Sequence, residues 1–220
     1  MILSANQPYF LPHLAYWQLI DVADLFLVGD DYSYIRHGWI NRNRIMIGGE
    51  YHFISLSIRS KHTGDLVNHL SFMPIDQAGM LKTMWHVYRH APHFEEGYAL
   101  MQKILSCPEL GVADFLASSI ADVCKYLGIN TPIGRTSQYA NFGVLKREDR
   151  IYDYCRRIGA DTYVNPIGGR ALYDKVSFAA QGIDLKFLNS PYAGGPSIID
   201  VIMNNSLERI REMLNDYEYV

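Results

Sequence analysis

Four clusters of polar and ionisable residues have types and spacings suited to chemistry. The first is Asn6-Gln7-Pro8-Tyr9-Phe10-Leu11-Pro12-His13. Its two prolines fix their own φ angles and stiffen the run, and His13 stands where it could donate to a phosphate or a carboxylate. A polar-aromatic loop of this length exceeds what a plain strand-to-helix turn requires; the plainer alternative is a packed turn with an exposed histidine. The second cluster is Asp30-Asp31, two adjacent carboxylates suited to a ribose hydroxyl, to a metal through one carboxylate, or to work as a base. Acids at a turn that cap the next element are the alternative there. The third runs from Arg36 to Arg44 and packs three arginines, two asparagines, His37 and Trp39 into one short segment. Guanidinium forks suit phosphate or carboxylate, although a solvated hairpin face would look similar. The fourth is Asn165-Pro166-Ile167-Gly168-Gly169. Its glycines permit close backbone approach, and a helix start after them favours anions. It is neither the G-x-G-x-x-G fingerprint nor a Walker A loop.

These clusters gain meaning from the elements that carry them. Ile2–Ala5 and Leu25–Val28 are short apolar runs on either side of a helical stretch, Leu14–Val22, so they should form a β-α-β unit with parallel strands. Ile45–Ile47 and Tyr51–Ile58 flank Gly48-Gly49 and predict a hairpin. Ile54, Leu56 and Ile58 alternate with Ser55 and Ser57, so one face of it is buried. Helices are expected over about 76–105, interrupted at Pro92, and over Gly111–Leu127, with Gly128 as its C-terminal cap. The alternation then resumes: strand at Ile129–Ile133, helix at Arg147–Ile158, strand at Asp161–Val164, helix at Ala171–Ala180, strand at Ile183–Leu188, and a closing helix at Ile198–Leu214. This order predicts an α/β fold with a mostly parallel sheet and helices on both faces. A helical and hairpin insertion should occupy about 32–110 of one domain, 1–220. In such sheets ligands bind outside the carboxyl ends of the strands. That rule selects Gln7–His13, Asp30-Asp31, Arg135–Gln138 and Asn165–Gly169.

Composition narrows the classes. The chain has 220 residues, a formal net charge of -3 and no long basic stripe, so no nucleic-acid partner is expected. Cys107, Cys124 and Cys155 are odd in number and form no C-x-x-C pair, which fits a reducing cytosol rather than a disulfide or zinc framework. Cys155 falls on an apolar helix face and reads as a small buried hydrophobe. No stretch approaches the roughly 20 apolar residues of a membrane span, and the amino-terminal run is not a signal peptide. His86 and His90 share a helix face, with His93 beyond, but lack a fixed third ligand, so no metal site is expected. No G-x-S-x-G elbow supports a hydrolase. The sequence names no cofactor and no oligomeric state.

Several segments resemble the WbqC-like family. They are Gln7-Pro8-Tyr9-Phe10-Leu11-Pro12 with Tyr16, Ala23-Asp24, Asp30-Asp31, Tyr34 and Trp39-Ile40-Asn41-Arg42-Asn43. Ala91–Phe94, Leu127–Ile129, Arg147–Ile151, Gly159–Tyr163 and Ser197–Asp200 extend the likeness over nearly the whole chain. One departure is the short Tyr192–Pro196 segment, where the family carries a longer one, which weakens any expectation of a ligand contact there. The resemblance implies bacterial surface-polysaccharide, amino-sugar or related biosynthesis. Its expected activity is transfer of an acyl or aminoacyl group onto an amine of a nucleotide-linked, anionic small molecule. The alternatives are a non-catalytic binding or assembly protein, or nucleotidyl transfer of the HUP class, whose histidine signature is absent. The candidate site has His13, Asp30 and Asp31 in catalytic roles. Gln7, Tyr9, Tyr34, Trp39, Asn41, Arg42, Asn43, Arg44, Arg147, Asp161, Gly168 and Gly169 are expected to bind substrate. Gln7, His13, Asp30, Asp31, Arg42 and Asp161 are expected to share one cleft, with Arg42 or Arg44 on the anion.

Overall fold

Apolar runs of four or five residues between turn signals are too short for helices and fit buried strands. Ile2–Asn6 forms β1 and Leu25–Val28 forms β2, paired in parallel with Leu3 opposite Leu25 and Asn6 opposite Val28. The helix between them, α1, spans Leu14–Asp21. The structure, a computed structural model, describes residues 1–62, 64–139 and 147–220.

The hairpin consists of β3, Arg42–Ile47, and β4, Glu50–Ser55, with Arg44 opposite Phe53. Gly48 and Gly49 turn it at φ 59° and 87°, values that favour glycine. Helices α2, Gln77–Tyr88, and α3, Phe94–Leu105, follow, and then α4, Val112–Leu127, which Gly128 closes at φ 77°. The alternating part continues with β5, Ile133–Arg135; α5, Arg147–Ile158; β6, Thr162–Pro166; α6, Lys175–Ala180; and β7, Asp184–Asn189. It closes with α7, Ile198–Asn204; α8, Leu207–Leu214; and β8, Glu218–Tyr219.

The main sheet has six strands in the order β5-β2-β1-β6-β7-β8, all parallel except the β7–β8 pair. Side chains alternate across it. Leu3, Ala5, Leu27, Tyr163, Leu185 and Phe187 pack with Ile151, Tyr154 and Cys155 of α5 and Phe178 of α6. Phe26, Val28, Val164 and Leu188 face the other way, into a larger core with α1, the hairpin, α2, α3, α4, α7 and α8. Helices therefore cover both faces. Cys155 is buried, and burial pushes its thiol up to about 12, so it stays an inert thiol at neutral pH.

Local chemistry moved several element boundaries. Ile129 is not in a strand, because its N–H still bonds the Cys124 carbonyl at the end of α4. Pairing begins only with the Pro132 carbonyl, which accepts from Phe26 N–H. α6 starts at Lys175 rather than Ala171, because the Asp174 side chain accepts from Ser177 N–H and sets the cap there. The closing helix is two helices. Asn205 is extended, and Ser206 caps the second by accepting from Arg209 N–H. The short antiparallel β8 carried too little pattern to be read from sequence.

Candidate functional site

The path of the chain creates one crevice. The loop after β1 leads to α1 on one face, whereas the turn after β6, Ile167–Gly169, leads to α6 on the other. β1 and β6 are neighbours, so the connections diverge between their carboxyl ends, which is where α/β sheets bind ligands. A cavity of about 620 Å³ occupies that position, within the roughly 300–1,000 Å³ typical of small-molecule sites. Asn6 ends β1 in its wall, and Asn165 and Pro166 end β6. On the α1 side it is lined by Tyr9, His13, Ala15, Tyr16 and Trp39. On the α6 side the lining comes from Tyr32, Tyr163, Gly168, Gly169 and Tyr173. Ser190, Ala193 and Gly194, after β7, close the rim. The short segment around residue 193 thus does contribute to the wall.

His13 is held by a loop that is tied down along its length. Leu11 is buried at φ 47°, an uncommon conformation for a residue with a side chain, costing on the order of 1–2 kcal/mol. It persists because its surroundings fix it. Asn43 Nδ2 donates to the Phe10 and Leu11 carbonyls at 3.0 and 2.8 Å, and Ser197 Oγ donates to the Leu11 carbonyl at 2.8 Å. Trp17 Nε1 donates to the Pro12 carbonyl at 3.0 Å. His13 then caps α1 with extended backbone and no side-chain cap bond, and Ala15 of that first turn faces the cavity. Nδ1 of His13 is buried with no hydrogen-bond partner. Burial first, and then the charge of Arg44, hold its imidazole below the ordinary value of 6.5; the positive end of α1 acts in the same direction. His13 is therefore a neutral imidazole at pH 7 in the cavity wall, and its buried Nδ1 has no partner among the described residues.

Arg44 lies behind this wall. Its guanidinium sits 5.1 Å from the Trp39 ring and 4.3 Å from the Tyr51 ring, and Nη2 donates to the Gly194 carbonyl at 2.6 Å. Its Nε is also buried without a partner. Burial raises the Tyr9, Tyr32 and Tyr163 phenols, so these hydroxyls stay protonated at neutral pH. Among the described residues no Asp, Glu, Lys or Arg lines the cavity.

The expected single cleft of Gln7, His13, Asp30, Asp31, Arg42 and Asp161 does not form. His13 lines the cavity, together with Tyr9, Trp39, Gly168 and Gly169. Gln7 instead ties its loop to the next, Nε2 donating to the Ser33 carbonyl at 3.0 Å. Asp30 and Asp31 are buried behind the cavity and fully engaged. Thr136 Oγ1 donates to both, at 3.1 and 2.6 Å, while Ser137 N–H and Oγ donate to Asp30 at 3.0 and 2.6 Å. Asp31 Oδ2 also pairs with Arg150 Nη2 at 2.5 Å. These bonds fasten the end of β2 to the turn after β5 and to α5. Tyr34 and Asn41 bond each other at 2.9 Å, and Asn41 Nδ2 donates to the Leu56 carbonyl at 2.7 Å. Arg42 donates to the Gly38 and His37 carbonyls and lies over the Phe53 ring, so it fixes the hairpin rather than a ligand. Asn43 holds the His13 loop, as above. Asp161 is at the start of β6, on the opposite edge of the sheet, paired with the Met1 ammonium at 2.9 Å. Arg147 opens α5, and its side chain lies outside the described residues.

Tyr32, Tyr163, Tyr173 and Ser190 escaped the sequence reading, whereas Asn6, Tyr16 and Asn165 stood in the segments singled out but were not expected to bind substrate. Asn6 and Asn165 carried a usable signal, since each ends a parallel strand beside the divergence of the connections. The tyrosines carried none, because core and cavity tyrosines look alike in sequence.

An α/β protein with a cavity at the divergence of its strand connections is the class that fold and site define. The chain belongs to the WbqC-like protein family, whose profile matches residues 7–212. It is also similar to the "Uncharacterized protein Rv1507c" of Mycobacterium tuberculosis, at 25% identity over 218 residues, covering 92% of this chain and 93% of that one. No solved structure matches it. Among the described residues no helix is long and apolar enough to cross a membrane.

Proposed function

We propose that the cavity is the active site of a biosynthetic transferase that places an acyl or aminoacyl group on an amine of a nucleotide-linked small molecule. The observation that carries this reading is His13: a neutral imidazole in the cavity wall, at the start of α1 and near Arg44. An amine attacking an acyl carbonyl forms an N–C bond while the bond from the carbonyl carbon to its leaving group breaks. The nitrogen must then shed a proton. A neutral imidazole accepts it and returns it to the leaving group, a role worth about 10²–10⁴ in rate. The uncapped start of α1 and the guanidinium of Arg44 favour an anionic group at the same wall. Substrate-linked phosphate suits the rim rather than the uncharged interior. Family membership supports the setting, through the amino-sugar and polysaccharide biosynthesis that the resemblance implies.

The test is an N-acylation assay. Nucleotide-linked amino sugars are mixed with acyl and aminoacyl donors, and products are read by mass spectrometry. Acylated product from the wild type, lost in His13→Gln, is the expected result. Product formed equally well by His13→Gln would remove the imidazole from the mechanism. A second reading, a non-catalytic small-molecule binder, is favoured by the absence of charged side chains in the described lining. It requires ligand binding with no product from any donor.

A further inference from the structure

We propose that the α6 half of the cavity is the seat of the substrate's nucleobase, leaving the α1 half, with His13, for the reacting amine. This rests on the nucleotide-linked substrate proposed above and assigns its parts. The two halves differ in kind. Strand alternation puts Asn165 on the same side of β6 as Tyr163, facing α5 and α6, whereas Asn6, two residues beyond Ser4, falls on the α1 side. The α6 half is walled by the rings of Tyr32, Tyr163 and Tyr173. The last two sit nearly perpendicular, 6.4 Å apart. Tyr32 is held in place from behind, since the Arg150 guanidinium lies 4.9 Å from its ring and is itself fixed by Asp31.

This half suits a flat, neutral ring with hydrogen-bonding edges. Aromatic walls stack on the π-face that every base offers. The carboxamide of Asn165, only 8% exposed, carries donor and acceptor side by side, as a base edge does. Among the described residues its carboxamide makes one long donation, from Nδ2 to Tyr163 Oη at 3.3 Å, which leaves an N–H and the carbonyl oxygen for a ligand. Phosphate is poorly served there, because an anion would lose its water without gaining a counter-charge among the described residues. A free sugar, with hydroxyls directed all around a puckered ring, gains less from ring walls and a single amide. Two adjacent glycines complete the seat in different ways. A Cβ on Gly168 would meet nothing within 4 Å, so that position borders open space, whereas one on Gly169 would lie 1.9 Å from Asn165 Oδ1. Gly169 thus leaves room for the Asn165 carboxamide, and a side chain at Gly168 would extend into open space.

The experiment is calorimetry of the full chain with phosphate-free nucleosides of each base, and with a free amino sugar as the contrast. At least one nucleoside should bind the wild type. Gly168→Val should weaken it about tenfold or more with an unchanged melting temperature, because the added side chain enters space that the protein leaves empty. Asn165→Ala should weaken it about five- to tenfold, the size of one lost hydrogen bond. The seat is overturned if no nucleoside binds, if binding ignores both Gly168→Val and Asn165→Ala, or if Gly168→Val instead abolishes binding of the free amino sugar. Nucleoside binding that follows the expected pattern, with no acyl transfer to any nucleotide-linked amine, would sink the transferase reading and keep the seat. His13-dependent acylation of an amine that carries no base, with no nucleoside binding, would do the reverse.

Discussion

The ends of β1 and β2 are neighbours in one parallel sheet, both polar, and built to opposite purposes. At the end of β2, Asp30 and Asp31 hold the more conspicuous chemistry, yet every contact they make is spent inside the protein, on Thr136, Ser137 and Arg150. In the loop after β1 stands a single histidine, and its imidazole lines an open cavity. The lesson is that density of charge does not mark a site. A polar side chain in the wall of accessible space, at the divergence of the strand connections, is the better mark.

Removing the fastening at β2 should have the largest effect on stability. Asp31→Ala leaves the Arg150 guanidinium, 22% exposed, without its carboxylate partner. The expected loss is about 2–4 kcal/mol, somewhat under the full cost of a broken buried pair because Arg150 retains some water. In a chain of this size that is a fall in melting temperature of roughly 5–15 °C. A melting temperature within about 2 °C of wild type would contradict the fastening role.

The β1 side can be disturbed without touching His13. Asn43→Ala removes both donations to the Phe10 and Leu11 carbonyls and leaves buried acceptors behind. We expect a cost of about 1–3 kcal/mol in urea denaturation. Ligand affinity should also fall, since the strained Leu11 loop that presents His13 loses its tie. Stability loss with unchanged affinity would separate the loop from the site. On the β6 side, Gly169→Ala drives a methyl into Asn165 and should cost about 1–3 kcal/mol, while Gly168→Ala should stay within about 0.5 kcal/mol. Equal effects at the two glycines would refute the different surroundings assigned to them.

The smallest effect is on the pH dependence of stability. His13 is held below 6.5 by burial and by Arg44. As pH falls through about 6.5 the unfolded chain binds a proton on this residue before the folded protein does. His13 therefore subtracts stability below that pH and is neutral in both states well above it. Urea denaturation at about pH 5.5 and 7.5 should show a smaller difference in His13→Gln than in wild type. An identical difference in the two proteins would mean the imidazole titrates normally.

Much of this arrangement was legible in the residues. Ile2–Ala5 and Leu25–Val28 announced a β-α-β unit by apolar runs and a short crossover, and their parallel pairing follows that pattern. Gly48-Gly49 marked the hairpin because two consecutive positive φ angles need glycine. What local pattern could not give was register and partnership. Asp161 was expected in the cleft only as its weakest member, because a place at the start of its strand would put it on the opposite edge, and that is where it lies, paired with the Met1 ammonium. Arg42 and Asn41 were read as ligand groups because residue type and spacing do not reveal that the carbonyls of Gly38, four residues upstream, and Leu56, across the hairpin, already accept from them. Asn165 was legible as the start of a strand-end segment, but its role was not, because that depends on β6 lying beside β1, whose Ser4 bonds the Val164 carbonyl across 160 residues.

The most direct measurement compares the two strand ends in one assay: N-acylation per folded molecule, with melting temperature, for His13→Gln and Asp31→Asn. The expected result is that His13→Gln melts within about 2 °C of wild type and loses roughly 10²–10⁴ in rate, while Asp31→Asn melts several degrees lower and transfers at a near-normal rate. The reverse pattern, with activity lost in Asp31→Asn and kept in His13→Gln, would move the chemistry from the end of β1 to the end of β2 and contradict the assignment.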